Sequence, residues 1–88
     1  ADLEKYHGTY ASSFGGEFAI LTWKGELALV YFPTEDPLSS LTKLRHSEGD
    51  SFRRVRDDGA LGEEIRFEAE NGEVVRFWRH NNRYPKIR

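Results

Sequence analysis

Residues 17–32 read EFAILTWKGELALVYF, and they contain the clearest strand-pairing pattern in the chain. Two runs, 17–23 and 26–32, are rich in apolar and β-branched residues and are joined by Lys24-Gly25, which predicts a hairpin with a two-residue loop. Three opposed pairs follow from such a loop: Thr22 with Leu27, Ile20 with Leu29, and Phe18 with Tyr31. One face of the hairpin is then almost wholly apolar, so the turn and the pattern predict the same register.

Further strand-like segments lie on both sides of this hairpin. They occupy residues 9–14, 41–46, 51–56, 63–69 and 84–87, with another strand after Gly72. Residues 2–6 predict one helical turn, with Asp2 as its N-cap and Gly8 at its end. About eight short strands at a spacing of roughly 8–12 residues leave no room for crossover helices. The predicted fold is all-β, a small antiparallel barrel with a short N-terminal helical turn and a filled interior.

The loop before the strand that follows Gly72 has two alternative lengths. A two-residue Asn71-Gly72 turn alone would place Phe67 opposite an arginine, whereas a loop of residues 70–72 places it opposite Val75. Burial of apolar side chains favours the longer loop. Val75 and Phe77 are therefore predicted to face the core.

Length and composition bound the function before any motif is considered. The chain has 88 residues, which predicts one domain over 1–88 with a small core. It contains no cysteine, so no disulfide framework or thiolate metal site is expected. No apolar stretch approaches the roughly 20 residues of a membrane-spanning helix, and no membrane span is predicted. The compartment stays unassigned, because nothing in the sequence points to one.

The formal net charge of −2 conceals an uneven distribution. Residues 74–88 hold five of the 13 Lys and Arg residues and none of the 15 Asp and Glu residues. The favoured interpretation is a basic terminal strand that pairs with acidic neighbours and protects a sheet edge. The alternative is an OB-like nucleic-acid surface. The pI of about 5.9 opposes that alternative, because affinity for nucleic acid depends on neutralising phosphates.

One motif has the form of a catalytic site. Ser40-Leu41-Thr42-Lys43 matches the Ser-x-x-Lys nucleophile pattern, in which the serine begins a helix and the lysine one turn later takes its proton. Here the motif lies in a predicted loop-to-strand segment. The histidines do not stand at metal-ligand spacing: they are His7, His46 and His80. No catalytic residue, cofactor site or metal site is predicted.

Several short motifs, taken together, resemble a known family. They are Leu3-x-x-Tyr6-x-Gly8-x-Tyr10, Trp23-Lys24-Gly25-Glu26-Leu27, the Asp36-Pro37 loop before Leu41-Thr42-Lys43-Leu44, Gly49-Asp50-Ser51-Phe52-Arg53, and Val74-Val75-Arg76-Phe77. In these features the chain resembles the lipocalin-like C-terminal domain of β-lactamase-related serine hydrolases, of the class C and penicillin-binding-protein type. The resemblance implies a non-catalytic accessory barrel excised from the C-terminus of a larger enzyme. It implies packing on the N-terminal hydrolase domain, or assembly of copies into a homo-oligomer.

Trp78 is the aromatic residue that has no predicted place in the core. If Val75 and Phe77 face inward, strand alternation turns Trp78 and Arg76 outward. A large outward ring in a half-polar setting is a common interface anchor. The interface candidates are therefore Trp78, Arg76 and Tyr6, and the competing interpretation is that Tyr6 lies on Trp78 as an internal cover.

Two other functions remain open at this point. A small-ligand-binding barrel predicts a cavity of a few hundred Å³. Its expected lining consists of Phe18, Ile20, Leu29 and Phe67. A minimal hydrolase acting through Ser40 is the third and least favoured function.

Overall fold

The computed structural model of the chain is a single antiparallel sheet of eight strands, which confirms the all-β barrel. It describes residues 3–12 and 15–88. The strands lie side by side in chain order: β1 Gly8–Ala11, β2 Glu17–Trp23, β3 Glu26–Phe32, β4 Thr42–Glu48, β5 Ser51–Val55, β6 Leu61–Glu70, β7 Glu73–Arg79 and β8 Asn82–Pro85. A 3-10 turn, Glu4–Tyr6, precedes β1, and one helical turn, α1 Pro37–Ser40, separates β3 from β4.

The sheet curls until its first and last strands meet. Tyr10 forms an isolated antiparallel bridge with Lys86. Next to it, the Ile87 amide donates to the Thr9 carbonyl at 2.8 Å, and the Thr9 amide donates to the Arg88 carbonyl at 2.6 Å. These bonds make a seam that nearly closes the barrel, which reduces the length of unpaired strand edge.

The β2–β3 hairpin has the predicted register. All three expected pairs occur: Thr22 with Leu27, Ile20 with Leu29, and Phe18 with Tyr31. Lys24 and Gly25 both have positive φ, 50° and 82°, as a type I′ turn requires. The hairpin is therefore specified locally, because the turn and the apolar alternation demand the same pairing.

The turn between β6 and β7 has two residues, so the predicted loop of residues 70–72 is wrong. Asn71 and Gly72 have φ of 53° and 82°, and Glu70 lies opposite Glu73. Asn-Gly is a preferred pair for a type I′ turn, and this local preference outweighs the burial argument for a longer loop.

With this turn and a regular ladder, Phe67 would lie opposite Arg76; a β-bulge restores an apolar partner for Phe67. The register shifts between residues 68 and 69 of β6, so Phe67 pairs with Phe77. Val74 is buried, at 7% exposure, whereas Val75, which was predicted to face the core, is only half-buried. The extra residue in β7 returns the following side chains to the faces that core packing requires.

The remaining predicted strands exist with shifted bounds. β8 begins two residues before the predicted segment 84–87, and β6 extends the predicted segment 63–69 at both ends. The predicted first strand, 9–14, is shorter in the structure, and its residues 13 and 14 lie outside the described residues, as does the predicted N-cap Asp2. The N-terminal helical turn is confirmed as a 3-10 turn, and its N-cap is Leu3, without a side-chain cap bond.

Aromatic rings make up much of the barrel interior. Phe77 and Tyr10 have no exposed surface, and their ring centroids lie 5.1 Å apart. Phe77 also stacks on Tyr84 at 4.7 Å and contacts Phe67 at 5.8 Å. Shared rings let a short chain bury much apolar area, since each aromatic side chain buries roughly 150–250 Å².

Candidate functional site at the barrel mouth

The two ends of the barrel are built differently. At one end Tyr6 is a plug: its ring packs on Phe52 and Phe67 at 5.2 and 4.6 Å, and its hydroxyl donates to Asp50 Oδ1 at 2.6 Å. The Tyr10 hydroxyl donates to the Tyr6 carbonyl at 2.8 Å, and burial raises the pKa of Tyr10. The plugged end is therefore filled by aromatic side chains with bonded hydroxyls.

At the other end, the inward positions of five strands change from apolar to polar. On β5, Phe52 is followed two residues later by Arg54, and on β7, Phe77 is followed by Arg79. Side chains two residues apart on a strand share a face, so these arginines point toward the barrel opening. We call this set the mouth layer: Tyr31, Thr42, Arg54, Glu63 and Arg79.

The mouth layer surrounds a half-open cavity of about 340 Å³. This volume is at the lower end of the roughly 300–1,000 Å³ typical of small-molecule pockets. Its floor is apolar and is formed by Phe18, Leu29, Leu44 and Ile65. Phe18 and Leu29 were predicted to line such a cavity, whereas the other two predicted residues, Ile20 and Phe67, are not in its lining and belong to the buried core.

Glu63 and Arg54 form an ion pair across the cavity wall. Arg54 Nη1 lies 3.4 Å from Glu63 Oε2, and the Glu63 side chain is only 18% exposed. Burial raises the pKa of Glu63, but a backbone hydrogen bond, the charge and hydrogen bond of Arg54, and the charge of Arg79 together lower it below its usual value. Glu63 is therefore a carboxylate at neutral pH, and its charge is matched by Arg54.

Arg79 has a different environment from Arg54. Its Nη2 donates to the Tyr84 hydroxyl at 3.1 Å, and its guanidinium lies 5.3 Å from the ring centre of Phe18 and 5.4 Å from that of Tyr84. Among the described residues it forms no ion pair within 4.0 Å, although its charge reaches Glu63. The cavity thus contains one guanidinium that no carboxylate neutralises by contact.

Two of the three interface candidates are brought together on the outer face of β6 and β7. Trp78 Nε1 donates to Glu68 Oε1 at 2.8 Å, and Arg76 Nη1 donates to Glu68 Oε2 at 2.6 Å. The hydrogen bond from Trp78 is the largest influence that holds the pKa of Glu68 below its usual value. Tyr6 lies inside the barrel, so it neither covers Trp78 nor adds to an exposed surface with it.

An apolar outer surface on β2 and β3 was missed by the sequence analysis. The hairpin outer face, as we name it, consists of Ala19, Leu21, Trp23, Ala28, Val30 and Phe32, which alternate with the inward residues, and it has Glu26 opposite Trp23 and Glu17 opposite Phe32 at its two ends. Ala28 and Val30 are buried, at 0% and 2% exposure, although neither belongs to the barrel core. The unbroken apolar run 27–32 could have predicted this surface from the sequence, because such runs indicate strands that are covered on both faces.

The residues of the Ser-x-x-Lys motif lie on different sides of the sheet. Ser40 ends α1 and lines the cavity, whereas Lys43 pairs with Ala28 on the outer face. His7 bonds to Thr22 Oγ1 at 2.7 Å, and His46 bonds to the nearby Gly49 carbonyl at 2.9 Å. Within residues 3–12 and 15–88, no group of three His, Cys, Asp or Glu side chains is arranged for a metal ion.

Comparison with protein-family models, with curated proteins and with solved structures finds no match to this chain. The resemblance to the accessory domain of serine hydrolases therefore stays a prediction. Across the described part of the chain, no helix has the length and apolarity needed to cross a membrane.

Acidification is expected to remove the contribution of Glu63 to stability. Its pKa is lowered in the folded state, so the carboxylate stabilises the fold above the usual value of 4.5, and that contribution is lost as the pH falls through the lower folded value. Glu63→Gln should cost less than about 1 kcal/mol at neutral pH, because Arg54 is half exposed and screened by solvent. Thermal melts between neutral and acid pH should show the wild type and the variant converging. A difference that stays constant would contradict the assignment, and the exposed Glu64→Gln is the matched charge control.

Proposed function

We propose that the chain is a non-catalytic accessory barrel that docks on a partner domain through the hairpin outer face. The single observation that carries this proposal is that the outer face of β2–β3, like most of its inner face, is apolar, except for Glu17 and Glu26 at its ends. An isolated barrel needs an apolar interior only, and its outer strand positions are normally polar. An outer face built from Leu21, Trp23 and Phe32 therefore fits contact with another protein.

The outer face of β6 and β7 differs from the hairpin outer face. On β6 and β7 the outward positions hold Arg66, Glu68, Arg76 and Trp78. Glu68 accepts hydrogen bonds from Arg76 and Trp78, and the Arg66 guanidinium lies 5.8 Å from the centre of the Trp78 ring. A surface whose charges are already paired loses hydration when it docks and gains few new bonds. Trp23 differs, because no hydrogen bond from its ring nitrogen is found among the described residues, and the Lys24 ammonium lies 5.7 Å from its ring centre.

The partner in this proposal is the catalytic domain of a β-lactamase-related serine hydrolase. The residues that resemble the accessory domains of those enzymes support that choice. Ser40 lines the cavity whereas Lys43 lies on the outer face, and this separation supports a non-catalytic role for this chain. In the proposal, catalysis belongs to the partner domain. Assembly of copies through the same face is the alternative arrangement of the same role.

Matched tryptophan substitutions test the docking face. The chain is titrated by calorimetry against a class C β-lactamase-type catalytic domain that lacks its own C-terminal barrel. Trp23→Ala should weaken binding about tenfold or more, as expected when an interface anchor is lost. Trp78→Ala, the same change on the β6–β7 face, should leave the affinity nearly unchanged.

Three results would contradict the proposal. One is that the wild-type chain does not bind the catalytic domain, and another is that Trp78→Ala weakens binding while Trp23→Ala does not. The third concerns self-association, which is followed by sedimentation velocity on the same samples. The chain could associate with itself, lose that association in Trp23→Ala, and not bind the hydrolase domain. The partner at the hairpin outer face would then be a second copy of this chain and not a hydrolase.

A further inference from the structure

We propose that the cavity at the barrel mouth binds a small amphipathic monoanion, a carboxylate with an apolar body, and that Arg79 holds the carboxylate. This inference rests on the interior of the barrel and is independent of the docking face, which lies outside it. Its basis is the pairing of an apolar floor with one guanidinium that has no carboxylate in contact.

The floor determines the body of the ligand. Phe18, Leu29 and Ile65 present rings and branched aliphatic side chains to a space of about 340 Å³. Polar atoms placed there would lose water without gaining partners, whereas an aromatic or short aliphatic group replaces water at no such cost. Tyr31 lies on the rim, with its ring 5.0 Å from that of Phe18 and its hydroxyl donating to the Gly15 carbonyl at 3.0 Å.

The balance of charge determines the head group. Arg54 and Glu63 neutralise each other by contact, and Arg79 leaves the mouth layer with one net positive charge. A cation would be repelled, and a neutral ligand would leave the charge of Arg79 unmatched. A dianion would exceed the charge that the site compensates, so a monoanion fits best.

The geometry of Arg79 suits a carboxylate. The guanidinium has five N–H donors in a planar fork. In this structure Nη2 donates to Tyr84, and the rings of Phe18 and Tyr84 lie close enough to hold the plane in place. A planar fork that is already fixed loses little entropy when it binds a carboxylate through two parallel hydrogen bonds. The half-buried position strengthens that interaction relative to one in open solvent.

Two probes of equal size and different charge test the inference. In one titration the ¹⁵N-labelled chain receives 4-phenylbutanoate, and in the other it receives 4-phenylbutanamide. The carboxylate should cause saturable shifts at the mouth layer, and it should bind about tenfold or more tightly than the amide, the ratio expected for hydrogen bonds to a charged group. Arg79→Gln should reduce the carboxylate's affinity to that of the amide and leave the amide unchanged.

Two further variants separate a local effect from a change of net charge. Arg83→Gln removes the same charge from an exposed position that pairs with Trp78 outside the cavity, and it should leave carboxylate binding unchanged. Glu63→Gln removes the carboxylate of the mouth layer and should tighten carboxylate binding severalfold. Circular dichroism confirms that each variant is folded.

Three outcomes would overturn the inference. Equal affinities for the carboxylate and the amide would show that the cavity does not select a negative charge. An affinity for the carboxylate that Arg79→Gln leaves unchanged would show that Arg79 does not hold the carboxylate. Shifts that spread over the barrel surface without saturating at millimolar probe would show that the cavity does not bind this class of ligand.

Discussion

Replacing Phe77 by alanine is expected to lower the free energy of unfolding by about 3–5 kcal/mol, the usual cost of removing a buried aromatic ring. Phe77 is 0% exposed, and its ring contacts those of Tyr10, Phe18, Phe67 and Tyr84. The space left by the missing ring cannot be filled easily by its neighbours, because they are large rings held by strands on several sides. The loss is a large share of the roughly 5–15 kcal/mol by which native proteins are stable.

Urea denaturation measures the effect, and the adjacent Trp78→Ala is the control. Trp78 is half-buried on the outer face, and its alanine variant loses one hydrogen bond to Glu68 and some packing. We expect a cost on the order of 1 kcal/mol for that variant. Equal losses at Phe77 and Trp78 would show that the two residues do not occupy opposite faces of β7.

The second large effect is expected at Gly8, where an alanine should cost about 2–4 kcal/mol. Gly8 has φ of +152°, and a Cβ there would lie 2.5 Å from Lys86 Cε and 2.6 Å from the Arg88 carbonyl oxygen. The lysine chain can move aside, but the carbonyl belongs to the backbone that pairs with Thr9 at the seam. The seam between β1 and the residues after β8 must therefore open to admit a methyl group.

Gly25→Ala separates strain at the seam from the general cost of replacing a glycine with positive φ. Gly25 has φ of +82°, and nothing lies within 4 Å of its added Cβ. It should lose only the roughly 1–2 kcal/mol of left-handed strain. Hydrogen exchange then locates the damage: in Gly8→Ala the amides of Thr9 and Ile87 should lose protection before those of β3. Uniform loss of protection would argue against local opening of the seam.

Gly8 also gives a physical meaning to the opening motif of the chain. In Leu3-x-x-Tyr6-x-Gly8-x-Tyr10, Tyr6 plugs one end of the barrel and Tyr10 fills its centre. Gly8 lets the last residues of the chain approach closely. Tyr6, Gly8 and Tyr10 thus fill or close the barrel, and none of them lies in the cavity at the mouth.

The sequence alone was sufficient for the β2–β3 hairpin, because its information is local. The turn residues Lys24 and Gly25 and the alternation on both strands require one register, and the structure has that register. The all-β class follows from an equally short-range signal, the spacing of apolar runs. The N-terminal turn was predicted with Asp2 as its cap, whereas its N-cap in the structure is Leu3, which makes no side-chain cap bond.

The β6–β7 pairing could not be predicted from local sequence signals alone. A two-residue Asn71-Gly72 turn would have placed Phe67 opposite an arginine, and a longer loop was one way to keep Phe67 opposite an apolar residue. The structure keeps the turn and inserts a bulge, so Val74 is buried in place of Val75. A bulge leaves little trace in the sequence, because its benefit appears only when the strands on both sides are packed.

By itself, the sequence determined the barrel class, the first hairpin and the inward placement of Phe18, Phe67 and Phe77, since these depend on alternation and turn chemistry within about a dozen residues. The tertiary structure alone decided the mouth layer and the hairpin outer face. Arg54, Glu63 and Arg79 meet because the stagger of three strands brings their ends to one opening, and no periodicity along the chain encodes that stagger. Similarly, a second apolar face on β3 could be read as such only after the barrel had assigned Leu27 and Leu29 to its interior.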